Sequence, residues 1–205
     1  MISNTGGPTR RARIIGLGNV LLGDDGFGPL AVEMFRCQYE CGSNVDVLDL
    51  GTPGLDLAPY LYGADLVVIA DAVHAEEQPG TLCIYCEDDL FARRGQLRLT
   101  AHAPGVQESL AQLRLAGHDP SELIIVGVVP ESSSLGHGMS PSVLNAASGA
   151  IENIARLLVE RAIGCRRRHA PVEPNLWWLS GDPSASSLRA EDHNPMCSTP
   201  AWRET

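Results

Sequence analysis

The sequence predicts an α/β three-layer sandwich, a twisted and mostly parallel five-stranded sheet with helices on both faces. Three observations carry that expectation. Apolar runs of strand length alternate with repeats of helical period along residues 12–164, the pattern of strand–helix–strand units. One run, Leu66-Val-Val-Ile-Ala70, is apolar throughout, as a strand buried on both faces must be. The link from Asp71 to Gly80 is too short for a parallel crossover, which needs about a dozen residues or more. The strand that follows it is therefore expected to run antiparallel.

Each element has its own local reason. Ala12 to Leu17 is a short apolar run that reads as the first strand. Phe27, Leu30, Ala31, Met34 and Phe35 then repeat at helical spacing, and Gly42 is expected to close that helix. Val45 to Leu50 reads as the second strand, and Leu55, Ala58 and Leu61 suggest a short helix. The third strand is the apolar run at 66–70, and Thr81 to Cys86 is the fourth. Val106, Leu110 and Leu113 mark a helix with Pro104 in its first turn and Gly117 past its end. Leu123 to Val129 is the fifth strand. Ser140 and Pro141 form an N-cap and first-turn pair for a long last helix, with an apolar stripe through Val143, Leu144, Ala147, Ile151, Ile154, Ala155 and Leu158 and an expected stop at Gly164.

The whole chain has 205 residues, 44% of them hydrophobic, room for one large domain with an appendage. Residues 1–11 read as a flexible N-terminus, 12–164 as the α/β domain and 165–205 as an irregular tail. Residues 165–205 carry prolines at 171, 174, 183, 195 and 200 and hold no regular period. Trp177-Trp178 is the one feature there expected to dock on the body. All 15 basic residues are Arg, set against 25 acids, for a net charge of −10. That balance argues against nucleic acid or an anionic membrane as partner. No apolar run approaches the roughly 18 residues that span a bilayer, and the first residues do not resemble a signal peptide. A soluble, cytoplasmic protein is the expectation. Cys83 and Cys86 lie in a strand, where they point to opposite faces and suit shared metal ligation poorly. Cys37 and Cys41 fall at i and i+4 near a helix end, with no second ligand pair beside them.

Sites in such sheets form beyond the carboxyl ends of the parallel strands. The polar residues expected there are the loop Gly16 to Gly28, Asp71 after the third strand, Glu131 after the fifth, and His102 ahead of a helix. The first loop begins as a dinucleotide fingerprint, but Leu21 stands at the third glycine position, and Asp24 and Asp25 precede the helix where a pyrophosphate would sit. No nucleotide cofactor is expected. Helix capping accounts for Asp24 and Asp25 as readily as a functional role does. Asp71 is harder to account for, because a carboxylate closing an apolar strand is desolvated unless partnered. Asp25, Asp71 and His102 together offer two hard oxygens and one borderline nitrogen. That donor set suits a divalent transition metal such as nickel or zinc, with positions left open. His74, His118 and His137 read as solvated loop residues. There is no nucleophile elbow, zinc-protease helix or Walker loop.

The segment Gly16-Leu-Gly-Asn19-Val-Leu21-Leu-Gly-Asp24-Asp25-Gly-Phe-Gly28 resembles the N-terminal signature of hydrogenase maturation endopeptidases, which process the large subunit of nickel–iron hydrogenases. The likeness continues through Asp49-Leu-Gly51-Thr52, Ile69-Ala-Asp71-Ala72, Pro79-Gly80-Thr81, His102 and Val126-Gly127-x-x-Pro130-Glu131, over about residues 12–163. The resemblance implies a monomeric, cytoplasmic, aspartic-type endopeptidase. Its implied substrate is the hydrogenase large-subunit precursor, trimmed of a C-terminal peptide only after nickel insertion, with the precursor's nickel as recognition element. It places the catalytic and metal-gripping residues at Asp25, Asp71 and His102, where some members carry Glu at the first position. Two other classes stay open on residues alone: a nickel-binding maturation chaperone that does not cut, and a nucleotide-binding oxidoreductase.

Overall fold

The computed structural model describes residues 10–53, 57–92, 98–99, 102–135 and 138–180. In chain order the strands are β1 (Ala12–Leu17), β2 (Tyr39–Cys41), β3 (Val45–Gly51), β4 (Leu66–His74), β5 (Leu82–Cys86), β6 (Arg98–Leu99), β7 (Glu122–Val128) and β8 (Cys165–Arg167). The helices are α1 (Phe27–Gln38), α2 (Ala58–Leu61), α3 (Glu87–Ala92), α4 (Ala103–Ala116), α5 (Pro141–Glu160) and α6 (Trp177–Ser180), with a 3₁₀ turn at Gly23–Gly26 leading into α1.

The main sheet runs β3-β1-β4-β7-β5. Its first four strands are parallel and β5 is antiparallel to β7, as the short link after β4 requires. Alternation along the strands supplies two cores. Ile14, Val68 and Val126 face α1 and α5, where Phe27, Phe35, Ile151 and Leu158 close one layer. Ile15, Val67, Ile69 and Ile125 face the other side, packed by Leu61 of α2 and Leu110 and Leu113 of α4. Burying one such Leu or Ile contributes about 1.5–3 kcal/mol, so each face is held by many side chains of like weight.

The strand order reverses between β1 and β4: from β1 the chain crosses to β3 on one side, then returns to β4 on the other. That switch point opens a crevice at the carboxyl ends of β1 and β4. β4 is longer than its apolar run suggests. Its pairing with β1 ends at Gly16 and Ala70, but Asp71 and Ala72 continue against Gly127 and Val128 of β7, and Val73 and His74 pair with β6. Asp71 thus lies within β4 rather than closing it, at the level where β1 has already turned into its loop.

Three further expectations are corrected. α5 stops at Glu160, ahead of Gly164, because Ala162 adopts a left-handed φ of 57°. Part of the tail is ordered: β8 pairs antiparallel with β2, and Leu176 and Leu179 pack on the core beside α1 and α5. Trp177 and Trp178 lie edge to face at 5.8 Å. Cys41 is not on a helical face with Cys37, since α1 ends at Gln38 and Tyr39 turns extended while stacking on Phe35 at 5.0 Å. Residues 1–9 and 181–205, including Cys197, lie outside the described residues.

Candidate active site at the switch point

The glycines of the first loop serve close backbone packing. A Cβ on Gly28 would lie 2.1 Å from the Leu17 carbonyl oxygen and 2.5 Å from that of Ala70. The first turn of α1 therefore rests directly on the ends of β1 and β4. Gly18 holds a φ of 136°, and a Cβ there would meet the Asp25 carbonyl at 1.8 Å. Gly16, the other glycine of that spacing, is packed as tightly, since a Cβ there would meet the Gly28 carbonyl oxygen at 2.5 Å.

The two adjacent acids of the loop do different work. Asp24 is fully buried. Its Oδ2 accepts the Glu131 N–H at 2.7 Å, the Ser132 N–H at 3.0 Å and the Ser140 hydroxyl at 2.9 Å, and its Oδ1 accepts the Ser140 N–H at 2.6 Å. Its own N–H donates to the Ser132 carbonyl. One carboxylate thus stitches the loop after β1 to the loop after β7 and to the N-cap of α5, the kind of dense acceptance that satisfies a buried charge. Asp25 is 7% exposed, and its Oδ2 accepts the Asn19 N–H at 2.8 Å. This bond braces the carboxylate across its own loop.

Asp71 and His102 arrive from elements 31 positions apart in the chain and meet at 3.5 Å, Oδ2 to Nδ1. Both are nearly fully buried, at 2% and 4% exposure. His102 is the residue just before α4, so the helix start delivers the imidazole. Oδ1 of Asp71 accepts the Ala72 N–H at 2.8 Å. The hydrogen bond to Asp71 raises the His102 pKa above its usual 6.5, against the opposing effect of burial, and the negative charges of Asp71 and Asp25 add to the rise. His102 therefore senses both carboxylates at once, which puts the three residues in one electrostatic neighbourhood. Among the described residues, no three His, Cys, Asp or Glu side chains form a ready-made metal cage.

A cleft of about 220 Å³ adjoins this neighbourhood through Asn19, lined also by Gly18, Val20, Pro29, Asp49 and Thr52. Burial pushes the Asp49 carboxyl up, while the Gly51 N–H it accepts at 3.0 Å pulls it down. Asn19 connects cleft and site, lining one and bracing Asp25 in the other. Asp49 is a polar residue of this cleft that the candidate set Asp25, Asp71 and His102 does not include. The available signal was its place at the carboxyl end of the second strand. Of the other described histidines, His74 ends β4 and is exposed, His118 packs edge-on against Tyr62 at 5.0 Å and His169 is exposed, while His137 and His193 lie outside the described residues.

A family model described as hydrogenase maturation protease matches residues 29–157. The hydrogenase expression/formation protein HupD of Bradyrhizobium diazoefficiens is 32% identical over 179 residues, covering 87% of this chain and 93% of that protein. The chain belongs to the hydrogenase maturation protease family. A second family relative, the hydrogenase 2 maturation protease of Escherichia coli K12, is 32% identical over 161 residues, 78% of this chain and 98% of that protein. The solved structure of the E. coli hydrogenase maturating endopeptidase HybD is similar with a TM-score of 0.71 at 32% identity, over 77% of this chain and 98% of that one. The family match thus carries the mixed, mostly parallel sheet with helices on both faces. Asp71 and His102 fall inside the matched residues and Asp25 just ahead of them. No helix among the described residues is long and apolar enough to cross a membrane.

Proposed function

We propose that this chain is the endopeptidase that removes a C-terminal peptide from a nickel–iron hydrogenase large-subunit precursor, and that Asp25, Asp71 and His102 do the work. The single observation that carries the reading is the buried Asp71–His102 pair at the switch point, 3.5 Å apart, beside the braced carboxylate of Asp25. Nickel is cargo of the substrate in this scheme. Two atoms each bound about 2.1 Å from one ion at tetrahedral spacing stand about 3.4 Å apart. The Asp71–His102 separation thus suits adjacent ligands of one ion as well as a charge pair. Two protein oxygens and one nitrogen make a partial set, completed by the thiolates that hold the metal in the precursor.

Docked by its metal, the precursor would lay its C-terminal segment against the loop after β1. Peptide hydrolysis adds water across the C–N bond: a carboxylate takes a proton from the attacking water, and the carboxylic acid so formed returns it to the departing amine. The acidic groups at this edge have that chemistry, as in aspartic-type peptidases, and the buried setting strengthens it. The test is the intact mass of a cognate precursor, nickel-loaded and nickel-free, before and after incubation with the protein. Loss of a C-terminal peptide from the loaded form alone is expected. An unchanged mass in both forms would replace the peptidase with a nickel-dependent chaperone, and equal trimming of both would remove nickel as the recognition element.

A further inference from the structure

Away from the site, β2 and β8 form a two-stranded antiparallel ribbon in which Cys41 stands directly opposite Cys165. The ladder shows which kind of position this is. The Gly42 N–H donates to the Gly164 carbonyl and the Arg168 N–H to the Gln38 carbonyl, marking hydrogen-bonded pairs at alternate positions. Cys41 and Cys165 fall between them, in a non-hydrogen-bonded pair. There the Cα atoms of an antiparallel ladder approach to about 4.5 Å with side chains on the same face, inside the range a disulfide spans, about 4.4–6.8 Å. The two thiols lie close enough to shift each other's ionisation. Both are half-buried, and a surface hollow of about 450 Å³ opens onto them, lined by Glu40, Gly42, Gly164 and Arg166 as well as the two cysteines.

We infer that Cys41 and Cys165 form a vicinal dithiol across the β2–β8 ribbon, a site of thiol–disulfide exchange with low-molecular-weight disulfides that closes into a Cys41–Cys165 bond. The neighbouring Cys41 holds the Cys165 thiol below its ordinary value, and Cys165, with burial, holds Cys41 well above. Cys165 is therefore the attacking thiolate. It attacks one sulfur of a small disulfide RSSR, forming a mixed disulfide and releasing RS⁻. Cys41 then loses its proton, its sulfur attacks Cys165 Sγ, and the second RS⁻ leaves. The dithiol gives up two electrons and two protons, and RSSR is reduced to two RSH. The run Arg166-Arg167-Arg168 beside the pair suits an anionic disulfide. The bond closes a ring over residues 41–165 and fastens the segment that begins at Cys165 to the body. Other thiols are placed differently: Cys37 is buried and bonds Glu33 at 3.9 Å, and Cys86 bonds Asp89 at 3.1 Å.

The test uses the full chain in glutathione–glutathione disulfide buffers of graded ratio, with thiols counted by alkylation and linkages mapped by peptide mass. Cys41 and Cys165 should lose reactivity together, as one cross-linked peptide pair. Cys41→Ser should trap glutathione on Cys165, and Cys165→Ser should leave Cys41 no more reactive than Cys83. Three results would overturn the inference: a stable glutathione adduct on Cys165 in the unaltered chain, a bond from either cysteine to a different thiol, or Cys41 and Cys165 as alkylatable as Cys83 at every ratio.

Discussion

The two edges of the parallel sheet are built on opposite principles. At the carboxyl edge, Asp24, Asp25, Asp71 and His102 are all buried, and each is held by backbone or by another of the group. At the amino edge, where α1 and α5 end, charges pair in the open: Arg166 with Glu40 at 2.7 Å, with both side chains about half exposed, and Arg161 with Glu122 at 2.7 Å, partly shielded. The difference teaches where the fold concentrates energy. Buried carboxylates are costly unless fully accepted by donors, so removing one strands several partners, whereas exposed pairs trade protein contacts for water at little loss.

The comparison breaks most visibly at Asp24. Asp24→Ala orphans the Glu131, Ser132 and Ser140 donors and should cost about 3–5 kcal/mol in urea unfolding. The same acid-to-Ala change at Glu40, on the other edge, should cost under about 1 kcal/mol. Comparable losses at the two positions would erase the distinction. Gly28→Ala comes next. Its methyl would meet the carbonyls of Leu17 and Ala70, so α1 must lift from the sheet at a cost of about 3 kcal/mol, read as a lowered Tm.

His102 sharpens the comparison through pH. Its folded pKa is raised, so the Asp71–His102 contribution to stability is complete below the usual 6.5 and is lost as pH rises through the elevated folded value. NMR titration of the imidazole should show that elevation in the unaltered protein and its loss in Asp71→Asn. A metal competes with the same proton, so nickel-dependent precursor binding should weaken as pH falls through that value. The smallest effect is expected from Arg166→Ala, within about 1 kcal/mol by thermal melt.

Much of the carboxyl edge was legible in the sequence because its elements carry strong periods or punctuation. The apolar run of β4, the short link that makes β5 antiparallel and the Ser140 cap all follow from local chemistry. The amino edge was not, because β2 and β8 are three residues each and so short a strand has no period to read. The pairing of Cys41 with Cys165 depends on α1 stopping at Gln38, where Tyr39 turns extended. On residue type alone Asp24 and Asp25 are alike, and only the resemblance singles out Asp25, since what separates them physically is the approach of Ser140 from far along the chain. The overrun of β4 past Ala70 likewise comes from β7 and β6, which supply partners for residues beyond the apolar run.

The most direct test of the central claim is the rate at which Asp71→Asn trims a nickel-loaded cognate precursor, in a preparation whose circular dichroism and Tm match those of a folded chain. The substitution keeps the shape of the side chain and removes its charge beside His102. No cleaved product is expected. Trimming at the unaltered rate would contradict it and move the chemistry away from the Asp71–His102 pair.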